Sequence, residues 1–151
     1  MRSITALARR FRLDVNTGTE GAPVWVQVGN VYDLELKKKA TIQKSQDYDD
    51  GGAEGNQKTG YSWALNFAVR RAVSVAGAYD VGQEAIRVKD KELGAANMAQ
   101  VRWYDRTTGE EGVSGWGCVE WSDDKGKSDD LASASITLTG NGPLTDIASP
   151  L

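Results

Sequence analysis

The sequence predicts a mainly β protein, a β-sandwich or barrel-like sheet with one flanking α-helix. Two segments, Tyr61–Arg70 and Ala132–Thr139, alternate large apolar with small or polar residues over their whole length, the period of a half-buried strand. Seventeen glycines against three prolines supply many tight turns. Helical periodicity occurs once. At 151 residues the chain has the length of one domain, expected to cover 1–151, with an N-terminal arm (1–9) and a C-terminal tail (141–151).

Phe11, Leu13 and Val15 alternate with Arg10, Arg12 and Asp14, predicting a first strand that the Gly- and Thr-rich stretch Asn16 to Pro23 then breaks. Arg2, Arg9, Arg10 and Arg12 form a basic cluster, and its plain reading is a solvated strand face. Val24, Val26 and Val28 resume the alternation. After Gly29 and Asn30 it continues through Val31, Leu34 and Leu36, predicting a second arm bent near the glycine. From Gln43 to Gly60 polar residues dominate and Tyr48 is the one large apolar side chain, so this segment is expected as a long polar loop of the kind that becomes ordered on a partner.

Asp80 stands as N-cap with Gln83 three residues on, and Val81, Ala85, Ile86, Val88 and Leu93 give a partly apolar stripe before Gly94, predicting a helix over Val81–Leu93. Met98 to Asp105, a turn at Thr107 to Gly112, and Val113 to Trp121 predict a hairpin. The polar loop Ser122 to Asp130 leads into the last strand, whose Ser/Thr face suits a solvated surface or a subunit contact.

The chemistry excluded is as informative. The chain has no histidine, which removes Ser-His-Asp and Cys-His sites, histidine bases and imidazole zinc centres. Cys118 is the single cysteine and sits in a predicted strand, so it reads as a small packed side chain in a protein that folds in a reducing cytoplasm. Asp47, Asp49, Asp50 and Glu54 beside Gly51 and Gly52 suggest calcium, but an EF-hand counted from Asp47 needs an oxygen ligand at Gly51 and a glutamate at Lys58. Asp123, Asp124, Asp129 and Asp130 likewise read as a solvated loop. Asp49–Asp50 and Glu110–Glu111 are sequence neighbours, whereas glycosidase carboxylates flank a cleft. Neither GxxxxGK[ST] nor GxGxxG occurs. The expectation is a protein that is not an enzyme and holds no cofactor or metal.

A net charge of −3 argues against gripping nucleic acid. The run Ile4 to Ala8 is too short for a signal-peptide core, and no stretch is long and apolar enough to span a bilayer. Trp25, Trp63, Trp103, Trp116 and Trp121 all fall in predicted strands and read as core and interface packing.

In order, RRFRLDV (9–15), the long polar loop, KTGYSWALNFAVR (58–70), one helix, WGCVEW (116–121) and DDLASASITLTGNG (129–142) resemble a phage tail tube protein, of the type found in long non-contractile tails. The resemblance spans essentially the whole chain and rests on element order. It implies a β-sandwich or barrel-like subunit of the virion, made in the host bacterial cytoplasm. Its copies would form rings, commonly sixfold, stacked into a hollow tube with other tail proteins at its ends. Phage DNA would pass the lumen without specific binding.

By the same resemblance Gln43–Gly60 is the arm that reaches the adjacent ring, with Lys44, Asp47, Tyr48, Asp49, Asp50, Glu54 and Lys58 as contact residues. The terminal segments would bridge neighbours through Arg2, Arg9, Leu144 and Ile147. Unlike some relatives, the chain shows no immunoglobulin-like domain after the last strand. The inner tube of a contractile tail or injection system shares the architecture and stays open. The competing class is a monomeric β-barrel or sandwich that binds a small molecule or glycan through exposed tryptophans and the acidic loop.

Overall fold

The structure, a computed structural model, describes residues 5, 7–107, 111–124, 126–148 and 150. Its strands are β1 (Phe11–Asn16), β2 (Trp25–Gln27), β3 (Val31–Lys44), β4 (Asn56–Arg70), β5 (Met98–Asp105), β6 (Gly112–Asp124), β7 (Ser133–Gly140) and β8 (Thr145–Asp146). They form an antiparallel sheet in the order β2-β1-β5-β6-β7-β4-β3, with β8 added to β6. The helix α1 spans Val81–Arg87.

The alternation seen in the sequence decides what lies inside. Leu13, Val15, Trp63, Leu65, Phe67, Val69, Val101, Trp103, Val119, Ile136 and Leu138 all point to one face and form the core. Each such side chain removed from water contributes roughly 1.5–3 kcal/mol. Trp63 on β4 and Trp103 on β5 are separated by β6 and β7, yet their ring centroids lie 6.2 Å apart. A flat sheet would hold those strands roughly 14 Å apart at the usual inter-strand spacing. The sheet is therefore rolled, and its core face is concave.

Glycine makes room for Trp63. A Cβ at Gly115 would lie 2.7 Å from the indole, and one at Gly140 would collide with it as well. The indole N–H donates to Gly142 O at 3.0 Å, which satisfies its polar end.

Helix α1 begins where the sequence places it: Asp80 Oδ2 accepts from Gln83 N at 3.1 Å. The same carboxylate accepts from Gly29 N at 3.0 Å, so the cap also docks the helix on the turn before β3. Gln83, fully buried, does not close a capping box. Its amide instead donates to Gly29 O at 2.7 Å and to Arg70 O at 3.0 Å, the latter also accepting from Ala72 N at 3.2 Å. Gly82 lets the helix sit against Gln27 O, where a Cβ would collide.

Three elements differ from the sequence expectation. The helix stops at Arg87 rather than Leu93, and Leu93 is exposed. The following residues instead serve the edge of β6 that β5 leaves uncovered: Asp90 Oδ1 accepts from Trp121 N at 2.9 Å, and the Asn97 amide exchanges bonds with Val119 N and O. Satisfying an open strand edge outweighs two further turns of helix. The second difference is β2, which pairs with β1 while β3 pairs with β4, so Val24–Leu36 is not one bent arm. The third concerns the expected loop Gln43–Gly60. Lys44 and Asn56 still face each other as ladder partners, and the loop proper is confined to residues 45–55.

The registers also give the molecule two ends. Around one end lie the turn after β1, the start of β3 and the loop joining β6 to β7. At the other lie the β5–β6 connection, residues 141–148 and the outward extension of β3 and β4.

Candidate functional site

The extension is the most unusual feature of the molecule. Beyond Leu36 every residue of β3 is exposed, and on β4 so is almost every residue before Trp63. β4 pairs with β7 over Ala64–Arg70, leaving residues 56–62 with β3 as their one partner strand. Residues 37–44 and 56–62 therefore make a two-stranded ribbon with both outer edges open and no core beneath it, roughly 25 Å long at ~3.3 Å per residue. A two-stranded ribbon of this kind is marginal in water without further support.

Its charges are sorted. Lys37, Lys38, Lys39, Lys44 and Lys58 lie on the stem, which has no acidic residue in 37–44 or 56–62, while Asp47, Asp49, Asp50 and Glu54 gather at the tip. A register shift between Thr41 and Ile42 marks a bulge that adds twist near the far end. The tip has internal structure. Ser45 N donates to Gly55 O at 2.9 Å, Lys44 pairs with Glu54 at 3.2 Å, Asp49 N donates to Asp47 Oδ1 at 2.9 Å, and Tyr48–Asp50 make one 3-10 turn. Tyr48 protrudes from this turn at 106% relative exposure, free of packing by its own chain.

The second feature is a cleft of about 680 Å³ at the seam where the rolled sheet stays open, between β3 and the β1–β2 end. Phe11, Leu34, Leu36 and Trp103 line it with apolar surface, while Arg9, Arg12 and Arg106 supply cations and Asp33 an acid. A buried polar knot on the outer face of β1 and β5 holds one of these cations. Asp14, 1% exposed, accepts from Arg12 Nε at 2.9 Å, Arg102 Nε at 3.0 Å and the Tyr104 hydroxyl at 3.0 Å. Burial, reinforced by the Asp14 carboxylate, holds the Tyr104 hydroxyl above its ordinary pKa. Arg10 pairs with Asp105 at 2.9 Å and Arg106 donates to Arg9 O at 2.6 Å, which ties the segment before β1 to the end of β5. Arg10 and Arg12 are thus not part of the solvated strand face expected from the sequence, since both are committed to buried carboxylates.

A second knot joins the end of β4 to helix α1. Arg71 donates to Gln83 Oε1 at 2.9 Å and Glu84 Oε1 at 2.6 Å and stacks near Tyr79 and Trp121. Glu84 also accepts from Arg87, and chiefly for that reason its carboxyl sits below the ordinary value. Both knots have their charges matched and brace the fold, and Arg12 of the first also reaches the wall of the cleft. Among the described residues no three His, Cys, Asp or Glu side chains converge as a metal-binding group, and no helix is long and apolar enough to cross a membrane.

With this geometry in view, comparison with solved structures is informative. A chain in the tail of an empty GTA particle, refined with C6 helical symmetry, superposes with a TM-score of 0.70 at 11% identity, covering 95% of this chain and all of that one. This chain shares its fold with tail-assembly proteins. A chain of the native gene transfer agent virion gives 0.67 at 11% identity, again over 95% of this chain and 100% of the other. A chain from the sheath/tube terminator of an extracellular contractile injection system gives 0.61 at 12% identity, over 97% and 99%. No family model matches the sequence, and no curated protein matches it either. The likeness is carried by backbone architecture, and the mainly β class expected from the sequence is the class observed.

The sequence-predicted contact residues fall into two groups. Lys44, Asp47, Tyr48, Asp49, Glu54 and Lys58 come together on the ribbon, where Lys58 Nζ lies 5.5 Å from the Tyr61 ring centre, and the backbone of Asp50 completes the tip turn. Arg9 lies at the cleft. Leu144 packs on the core, its N–H donating to the Tyr61 hydroxyl at 3.0 Å, and Ile147 N donates to Gly112 O at 2.9 Å. Arg2 lies outside the described residues.

Sequence reasoning missed the cleft. Phe11, Leu34, Leu36 and Trp103 register there as ordinary core alternation, and nothing local tells that the first three stay partly uncovered. Of the tryptophans, Trp63 and Trp103 are core and Trp121 packs against it, while Trp25 lies beneath the Arg102 guanidinium at 4.5 Å.

Proposed function

We propose that this chain is the building block of a tail tube, a virion structural protein whose copies join side by side into rings, six to a ring, and whose rings stack into a hollow conduit for DNA. The observation that carries the reading is the ribbon formed by residues 37–44 and 56–62, which is continuous with the sheet yet has no core beneath it and, at its base, the contact of Tyr61 with Leu144. Such a projection gains its support when it lies on another copy. The fold shared with a chain of a C6-symmetric tail supports the same reading. So do the two sheet ends: β2 and the outer edge of β3 offer unpaired backbone groups that neighbours in a ring would satisfy.

In this assembly the ribbon is the arm to the adjacent ring, with Lys44, Asp47, Tyr48, Asp49, Asp50, Glu54 and Lys58 at the contact. The contact joins unlike surfaces and is open-ended, as a filament requires. The tube would be of the non-contractile type, made in the host cytoplasm and carried in the virion, with DNA passing its lumen unbound. An inner tube of a contractile system is the variant within this class, and the likeness to a contractile injection system keeps it in play. Purified tubes that recruit a second, sheath-forming protein from the same source would select that variant.

Negative-stain electron microscopy across a concentration series, with light scattering to size smaller species, tests the proposal. Hollow tubes or stacked rings are expected. A strictly monomeric protein at high concentration would shift the reading to a binding module, for which the 680 Å³ cleft would be the site.

A further inference from the structure

We propose that the ribbon tip and the arginine-rimmed cleft are plug and socket: Tyr48 of one copy, with Asp47 and Asp49 beside it, seats in the seam between β1 and β3 of a second copy. The proposal rests on the assembly reading above and commits it to a receiving surface. The plug is ordered before it binds, because the 3-10 turn and the bond from Asp49 N to Asp47 Oδ1 fix the tip while leaving the tyrosine ring wholly exposed. A rigid, amphipathic aromatic carries large contact area at low entropic cost.

The socket matches it in kind. The half-buried Phe11, Leu34 and Leu36 offer apolar surface to the ring, with the buried Trp103 behind them, and Arg9, Arg12 and Arg106 meet the aspartates with guanidinium groups suited to carboxylates. Arg12 is held by Asp14, and Arg106 by Arg9 O, so both are positioned in advance. Asp33 is the acid in the lining, against Arg9, Arg106 and the Asp14-paired Arg12, and the cleft therefore favours an acidic occupant. At about 680 Å³ it lies within the roughly 300–1,000 Å³ typical of sites for compact ligands, room for a tip of a few residues.

The tip that fills the cleft belongs to a second copy. β3 leaves the cleft at Leu36 and its ladder with β4 runs unbroken in direction to Lys44 and Asn56, carrying the tip roughly 25 Å away at ~3.3 Å per residue. The tip reaches its own cleft only if that ladder is dismantled. Because plug and socket are different surfaces, one copy can fill a neighbour's socket while its own receives another plug, and the contact propagates.

Disulfide trapping tests this directly. In a Cys118→Ser background, Tyr48→Cys is combined with Leu36→Cys, the protein is assembled and oxidised, and products are separated on a non-reducing gel. A ladder extending beyond dimers and collapsing on reduction is expected, whereas Tyr48→Cys alone should give dimers at most. Charge reversal supplies a second readout. Asp47→Arg with Asp49→Arg should cut tube yield at least tenfold, and adding Arg9→Glu with Arg106→Glu should recover at least half of the loss. The tip variants touch no core residue, so a folded but non-assembling protein remains interpretable even if the arginine variants fold poorly. Wild-type protein that never assembles would sink the assembly reading and this one with it. Tubes that form normally yet give no disulfide-linked ladder from the Tyr48→Cys, Leu36→Cys pair, or tip reversals that leave tube yield unchanged, would overturn the plug and socket alone.

Discussion

The two halves of strand β4 have similar lengths and opposite fates. From Ala64 to Arg70 the strand is paired on both sides, the alternate residues Trp63, Leu65, Phe67 and Val69 lie in the core, and its last carbonyl accepts from Gln83. From Asn56 to Ser62 the same strand has one partner, almost no burial and a lysine-bearing surface. The inner half holds the monomer together. The outer half contributes little to the monomer and presents a shape to something else. Loss of backbone entropy, about 1–2 kcal/mol per ordered residue, is offset in the first by buried area and in the second hardly at all. The outer half therefore gains most from a second copy.

This contrast can be tested by perturbing the two halves and their supports separately. The largest loss of monomer stability is expected from Trp63→Ala, about 3–5 kcal/mol, because it empties the cavity that Gly115 and Gly140 keep open for the indole. Urea unfolding followed by far-UV circular dichroism reads the change, and a loss below about 1 kcal/mol would mean that the inner half is not the anchor. Next comes Gln83→Ala, which removes the side-chain donor from Gly29 O and leaves Arg70 O with the Ala72 N–H alone, and is expected to cost about 1–3 kcal/mol by the same measurement. An unchanged midpoint would show that the helix does not brace the start of the hairpin.

A smaller effect concerns alkaline pH. Tyr104 has its folded pKa raised above the ordinary 10.0, so the stability it contributes is complete below that value and is lost as pH rises through the folded pKa. Tyr104→Phe should therefore show a shallower decline in thermal midpoint than wild type above pH 10. Equal slopes would exclude ionisation of the Asp14 knot as a contributor. The smallest effect on the monomer is expected from replacing Lys44 to Lys58 by a short turn: unfolding free energy should stay within about 0.5 kcal/mol, while tubes vanish from electron micrographs. Normal tubes from that deletion would remove the ribbon from the contact.

Much of the fold was legible in the sequence because strand burial has a period of two and leaves its mark locally. The cores of β1, β4, β5, β6 and β7 follow from alternation, and the helix start follows from Asp80. The ribbon was half legible. Its polar character and the prominence of Tyr48 pointed to a contact segment, but without alternation the segment reads as loop. The cleft was not legible, since Phe11 and Trp103 lie far apart in sequence from Leu36 and look like any other core residues.

By itself, then, the sequence determined the mainly β class, which face of each long strand turns inward, where the helix begins, and that imidazole chemistry is absent. Tertiary structure alone decided the strand order, the early end of the helix at Arg87, the extension of β3 and β4 past the core, and the open seam. The physical reason is range. Period and capping act over a few residues. The contacts that settled the rest join Asp14 to Arg102, Gln83 to Gly29, and Asn97 to Val119. Their formation depends on which strands have already paired, and no local pattern encodes that.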